Sequence, residues 1–552
     1  MRFDLDHDWQ GNMSTPRAKV GERAKTHLLL VLCAVWLLMG LIGHAPWKPY
    51  ESHSISTIKT ILDTGNMLAP SAASNAEIAN PPLYYLSAAA LATLLKPLAS
   101  ILPMHDAARI STGLWMLITL LMVGMTGREL WGKGFGRQTS FVFIGSLGLV
   151  LSAHTLMPAV SALTGIATSF YALTLAKRRP YRASILLGLG MAVSFLSTGL
   201  QPFAIIVITC LALPGLFSAW RSASFAKVLL LAALSASPFI LAWSLLCQHY
   251  YPDTFNHWWQ LSLLQFNYFH HAYFLKTLLW YAWPALPLAA WGLWRYRSQL
   301  LHKPRFQLSL TFFMIALVVI GFGYAKEVFA LPLLIPLTAM AGGSIESLKR
   351  GTAGALSWFG LILFGLMSSL IWLGWLAMIT GSPAKVKERL TFLSGMTQLN
   401  FSMIAFIIAT ALTLIWLFAV FRSQFSNRSS ATNWAIGMTA VWTLLMTLWL
   451  PMIDSARSYK NVFTSLKAAM PTQHACVVGN RLGNAQLDLL HYYANLKTQN
   501  FEAEGTLNCD LYLIQDEKGR ERVELGGDWK LIWSGKRASE RRESFRLYQH
   551  LN

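Results

Sequence analysis

From residue 130 to residue 252 the chain contains neither Asp nor Glu. Acid is scarce throughout: 25 Asp and Glu stand against 45 Lys and Arg in 552 residues, and only 13% of the chain is charged. Soluble globular domains carry about 25% charged residues, so this scarcity excludes an ordinary soluble protein. A glycine-rich nucleotide motif and a CxxC pair are both missing. Their absence removes the usual sequence signals for a phosphate-cradling loop and a thiolate metal site. No cofactor is expected, and a divalent metal finds no support in the sequence. Of five cysteines, Cys33, Cys210 and Cys247 fall in or beside apolar runs and read as packing residues.

Hydrophobic residues make up 54% of the chain and come in long blocks. About 20 apolar residues cross a bilayer as a helix. The blocks lie at 27–44, 83–103, 107–127, 139–157, 159–176, 183–199, 203–219, 228–248, 277–295, 306–324, 328–344, 355–379, 402–422 and 432–451. The expected fold is therefore an all-α polytopic membrane protein.

The net charge of +20 does not point to nucleic acid. Residues 1–451 hold 31 Lys and Arg against 13 Asp and Glu, whereas residues 452–552 hold 14 against 12. The excess lies between apolar blocks, in 127–137, 177–182, 295–305, 347–350 and 421–428, as expected of cytoplasmic loops. A basic N-terminal segment, 1–26, is also placed inside. These assignments need an odd number of crossings, about 13, so one of the two blocks within 83–127 does not cross fully. The stretches 45–82, 249–276 and 380–401 then face outside, as does the tail. The tail, 452–552, has strand-like runs "ACVVGN", "LYLIQD" and "KLIWSG" and an amphipathic "AQLDLLHYYANL", enough for a small α/β domain. Outside the cytoplasm, Cys476 and Cys509 are a disulfide candidate.

The first outer loop reads "PWKPYESHSISTIKTILDTGNMLAPSAASNAEIANPPLYYLSAAAL". Its "HSISTIKTILDTGN" segment is amphipathic and is expected to lie along the membrane surface, stopping at the glycine. The order "PYE" (49–51), "TGNM" (64–67) and "ANPPLYY" (79–85) resembles the first outer loop of the family-39 membrane glycosyltransferases of the GT-C class. These are the protein mannosyltransferases and the bacterial aminoarabinose transferases of lipid A. "DAARIST", "YAWPALPLAAWGLW", "KEVFALPLLIPL" and the tail segment "GNRLGNAQLDLLHYYANL" extend the resemblance over nearly the whole chain.

The resemblance implies a GT-C-like transmembrane domain, 27–451, carrying a periplasmic α/β domain, 452–552, in a bacterial inner membrane. It implies transfer of a sugar from a polyprenyl-phosphate donor, among membrane lipids, to a lipid, glycan or protein acceptor. A carboxylate would act as general base, and cations would offset the charge of the leaving lipid phosphate. The chain departs from the family where the chemistry is expected. The first-loop Asp is Tyr50, and the Glu and Lys of the "EKPP" motif are Ala79 and Asn80. Glu51 keeps its family position and is the expected base. Tyr50, Tyr84, Tyr85, Arg109, Lys326 and Glu327 are the expected substrate contacts, with Arg109 and Lys326 facing phosphate. The other outer acids are Asp63, Glu77, Asp106, Asp253 and Glu388. The lost acids leave a second reading open: a homologue without catalysis that binds a polyprenyl-phosphate lipid or a partner enzyme. A transporter is the third, weakened by the lack of related halves and of charged residues within the spans.

Overall fold

The structure is a computed structural model that describes residues 22–75, 78–267, 269–422, 427–500, 509–519, 525–526 and 528–551. Residues 1–21 of the basic N-terminal segment, and Glu77, lie outside the described residues. The chain is a multi-pass helical membrane protein with a small sheet domain at its C-terminal end. Among the described residues eight helices are long and apolar enough to cross a bilayer, from Met104–Trp131 to Asn427–Arg457. Thr26–Leu38, Leu83–Leu94, Ala159–Leu175 and Leu200–Leu216 are shorter apolar helices. Every apolar block of the sequence is helical. Leu83–Leu94, at 12 residues, is about 18 Å long against a hydrocarbon layer of about 30 Å.

Two blocks are broken. The block 139–157 forms helices Phe135–Ile144 and Leu147–Ser152, and the block 277–295 forms His271–Tyr281 and Ala285–Arg295. The breaks face each other: the Leu147 amide donates to the Trp283 carbonyl at 3.1 Å. Trp434 Nε1 donates to the Gly145 carbonyl at 2.9 Å. Backbone groups freed within lipid must find partners in protein, and these do. No charged residue lies between the paired half-helices, unlike a transporter's ion site.

The basic segments gather at one end of the bundle. Arg178 pairs with Glu129 at 2.6 Å, Arg305 lies over the Trp131 ring, and Arg428 pairs with Glu346 beside Phe135. The helix Met104–Trp131 runs from this end to the other, where the segments expected outside collect. Trp243 donates to the Leu68 carbonyl at 3.0 Å, and Ser455 donates to the Ser394 carbonyl at 3.0 Å.

The tail forms a five-stranded sheet from β1 (Val477–Asn480), β2 (Gln499–Asn500), β3 (Leu511–Glu517), β4 (Trp529–Gly535) and β5 (Glu543–His550), in the order β2-β1-β3-β5-β4. β1 runs parallel to β2 and β3, while β5 is antiparallel to both β3 and β4. The three strand-like runs of the sequence supply β1, β3 and β4, and "AQLDLLHYYANL" supplies the helix Asn484–Ala494. A disulfide joins Cys476 to Cys509 at the starts of the adjacent strands β1 and β3.

Candidate functional site

The first outer loop forms a helix, Tyr50–Thr64, that ends on Gly65. Gly65 adopts the left-handed conformation (φ 71°), which costs a residue without Cβ nothing, and its amide closes on the Ile61 carbonyl at 2.8 Å. The apolar face of this helix is buried within the protein. Its Ile55, Ile58 and Ile61 stripe is buried in a cluster with Tyr84, Tyr85, Phe463, Leu489 and Leu490. The apolar face that reads as membrane-seeking in sequence is covered by the tail domain instead. Polar contacts fix the register of the tail on the loop. His53 lies 3.6 Å from Asp488, the Ser74 amide donates to Asp488 at 3.0 Å, and Lys48 Nζ donates to the Tyr459 hydroxyl at 2.7 Å.

The turn before the helix is built around Arg109, one face-length into the next long helix. The Arg109 side chain is fully buried, and its five N–H groups meet five acceptors. Nε and Nη2 donate to the two oxygens of Glu51 at 2.8 and 3.1 Å. Nη1 donates to Asp106 at 2.6 Å and to the His44 carbonyl at 2.8 Å, and Nη2 reaches the Ala45 carbonyl at 3.0 Å. Glu51 also accepts from the backbone amides of Trp47 at 2.9 Å and Leu156 at 3.0 Å. Burial raises the pKa of Glu51, but the charges of Arg109 and His44 and the hydrogen bonds from Arg109 and Trp47 outweigh it and hold the carboxyl at about 2. Asp454, 409 residues along, accepts from the Ala45 amide and from Trp47 Nε1, both at 2.9 Å.

The geometry places two of the expected site residues inside the turn. Glu51 is 2% exposed, and both its oxygens accept from Arg109 and from backbone amides. Arg109 has no N–H left for a lipid phosphate. Tyr84 and Tyr85 are likewise core residues, 0% and 1% exposed. The Tyr84 hydroxyl pairs with Thr112 at 2.7 Å, and that of Tyr85 accepts from Asn80 at 3.3 Å. Neither tyrosine presents surface to a substrate.

What the structure does bring together is Tyr50, Glu327 and Tyr273, with Lys326 the residue before Glu327 and its ammonium 6.0 Å from the Tyr324 ring centre. Lys326 and Glu327 are exposed beside Tyr324, just ahead of the helix Leu331–Ser344. The Tyr273 hydroxyl donates to Glu327 at 3.1 Å. Tyr50 is half-buried; burial, with the nearby charge of Glu327 and the Tyr273 phenol, pushes its own phenol up to about 12. Among the described residues Lys326 forms no ion pair, and Glu327 accepts only from Tyr273. The site thus holds an exposed carboxylate and two neutral phenols, with the exposed Lys326 ammonium adjoining in sequence. Among the described residues no three His, Cys, Asp or Glu side chains converge as metal ligands.

Sequence reasoning misses Asp454 and Tyr273. Asp454 lies beyond the last span, far in sequence from the turn that it holds. Tyr273 stands in the aromatic run "NYFHHAYFLK", where nothing distinguishes it from its neighbours.

A spanning bundle whose first outer loop is clamped beneath a small α/β domain is an architecture shared with solved structures. The chain has the fold of ArnT from Cupriavidus metallidurans bound to undecaprenyl phosphate, with a TM-score of 0.68 over 96% of this chain and 98% of that one, at 13% identity. The apo form of that protein aligns with a TM-score of 0.66 over 95% of this chain and 97% of that one, at 12% identity. In sequence the chain is 25% identical over 370 residues to the undecaprenyl phosphate-alpha-4-amino-4-deoxy-L-arabinose arabinosyl transferase of Pseudomonas savastanoi pv. phaseolicola. That alignment spans 64% of this chain and 66% of the relative, just under two thirds of its length. No family model matches the chain.

Proposed function

We propose that the chain is a glycosyltransferase of a bacterial inner membrane that moves a sugar from a polyprenyl-phosphate carrier to an acceptor on the periplasmic side. The N-terminus is then cytoplasmic, and the tail domain and first loop are periplasmic. The observation that carries the reading is the end-to-end likeness to ArnT bound to undecaprenyl phosphate. The name of the sequence relative supports the same donor class.

In this reading the carrier's isoprenoid stays in the bilayer and its phosphate meets Lys326. Tyr50, protonated at neutral pH, donates a hydrogen bond to the sugar phosphate, while the Tyr273 hydroxyl donates to Glu327 and orients its carboxylate. Glu327 takes the proton from the acceptor hydroxyl as that oxygen bonds the anomeric carbon. The bond from the anomeric carbon to the phosphate oxygen breaks, and Lys326 offsets the charge left on the carrier. Glu51 and Arg109 hold Tyr50 in place without touching substrate. Purified protein given a radiolabelled undecaprenyl-phosphate sugar and lipid A tests the proposal. Label transfer that Glu327→Gln abolishes is expected; no transfer from any such donor to a lipid, glycan or protein acceptor would overturn it.

A further inference from the structure

A second charged feature lies away from the loop, on the tail sheet. An open cleft of about 710 Å³ runs along the ends of β3, β4 and β5. Its wall carries Lys518, Lys536, Arg541 and Arg542, all exposed. Three acids, Asp516, Glu517 and Glu543, share this wall; half-buried Glu517 has a partner of its own, and the other two, with neighbouring Glu540, are turned to groups other than the side chains of the four cations. Asp516 is engaged by Arg546, through Nη2 at 2.8 Å and also through Nε. Glu543 points the other way, accepting from Tyr459 at 2.9 Å and Gln486 at 3.1 Å and pairing with Lys48. Glu540 spends one oxygen on the backbone amides of Arg541 and Arg542, both at 3.0 Å, and the other on Arg537. Among the described residues none of the four cations makes an ion pair. A cleft of unpaired cations is an anion site by its field alone.

The bundle sets the level of this cleft relative to the lipid. The helix Ala384–Ser394 starts four residues after the spanning helix Arg350–Thr380 ends, so it lies where the chain leaves the bilayer. It bears exposed Phe392 and Leu393 together with exposed Lys385 and Arg389. Its last turn abuts the β4–β5 connection: Gly395 packs on Ala538, and the Arg541 guanidinium lies 3.8 Å over the Phe392 ring. Exposed apolar side chains on one side of Arg541 and a cationic cleft on the other form an amphipathic step. An aromatic beside basic groups at a helix that skirts the membrane suits an acyl chain and an anionic head together.

We propose that this cleft binds the phosphate-bearing headgroup of an anionic membrane lipid, at a site separate from the Lys326 and Glu327 mouth. The proposal does not depend on transfer chemistry, because it is tested without a sugar donor. The full-length protein, purified and exchanged into micelles doped with phosphatidylglycerol or phosphatidylcholine, is read by native mass spectrometry for retained lipid. At least tenfold preference for phosphatidylglycerol is expected, falling about tenfold in the variant Lys518→Glu/Lys536→Glu/Arg542→Glu. These three side chains are exposed, so the variant should melt with the parent, and Lys518→Gln/Lys536→Gln/Arg542→Gln should give an intermediate loss. Equal retention of the two lipids by the parent, or unchanged preference in both variants, would overturn the proposal. Glycerol phosphate is the soluble arm: competition at the same concentration as phosphatidylglycerol would assign the cleft to a free anion and sink the lipid claim.

Discussion

Arg109 and Glu51 form a buried pair in which all five guanidinium N–H groups and both carboxylate oxygens are taken. The pair joins the start of a long spanning helix to the turn that presents Tyr50. Removing one partner of such a pair strands a buried charge at a cost of about 3–5 kcal/mol. Glu51→Gln and Arg109→Ala are therefore expected to lower the melting temperature and the yield of folded protein. Glu327→Gln, at an exposed position, should leave melting unchanged and remove transfer. Thermal melts run beside the transfer assay separate the two; a Glu51→Gln protein that melts with the parent yet has lost all transfer would restore Glu51 to the chemistry.

The same carboxylate gives a pH dependence with a definite sign. Its folded pKa of about 2 lies below the ordinary 4.5. Unfolding releases a group that binds protons more readily, so its stabilising contribution is complete above about pH 4.5. It is lost as pH falls from there toward 2. Linkage puts that contribution at roughly 3 kcal/mol. Chemical denaturation at pH 7 and pH 3 should show the gap between parent and Glu51→Gln narrowing at the lower pH. A gap that widened in acid would contradict the pairing.

Among the described residues Lys326 makes no ion pair, and its ammonium only lies over the exposed Tyr324 ring at 6.0 Å, so its substitution should act chiefly on the donor. A charge-assisted contact to phosphate contributes about 1.5–3 kcal/mol, or roughly 10- to 150-fold in affinity. Lys326→Ala should raise KM for the lipid-linked sugar by that factor with melting unchanged, and Lys326→Arg should recover most of it. An unaltered KM would remove Lys326 from the phosphate site.

Tyr50 stands where the resembling family carries an Asp, and its phenol at about 12 stays protonated at working pH. It can donate a hydrogen bond but not accept a proton. Tyr50→Phe should cost about 1 kcal/mol, some fivefold in transfer, without adding or removing an inflection in the rate between pH 6 and pH 10. Loss of an inflection in that range would make Tyr50 the titrating group.

The sequence shows much of this fold because lipid imposes a coarse rule: a block of apolar residues is a helix, and basic segments collect at one end. Gly65 and Pro82 bound their helices as local chemistry requires. The site is less legible. Glu51 and Arg109 read as functional because a charge near lipid is costly, yet that cost is met by each other, 58 residues apart. Tyr84 and Tyr85 follow a proline pair like an interfacial belt, but the tail domain covers them. Such burial depends on a packing partner some 400 residues away, which no local pattern reveals.

That covering domain is itself held by Cys476–Cys509, which closes the ends of β1 and β3 across 33 residues of chain. The enclosed segment includes the helix Asn484–Ala494, whose Asp488 holds the first loop through Ser74 and His53. In the chain-entropy account a cross-link of this span stabilises by about 3–4 kcal/mol. The double variant Cys476→Ser/Cys509→Ser should free this helix from the loop helix, so protease should cut the tail first while the spans remain intact. Transfer should fall with the undocked fraction as Tyr50 loses its support. Identical tail cleavage in parent and variant would show that the sheet docks without its covalent tie, leaving the Tyr459, Lys48 and Glu543 contacts to hold the domain.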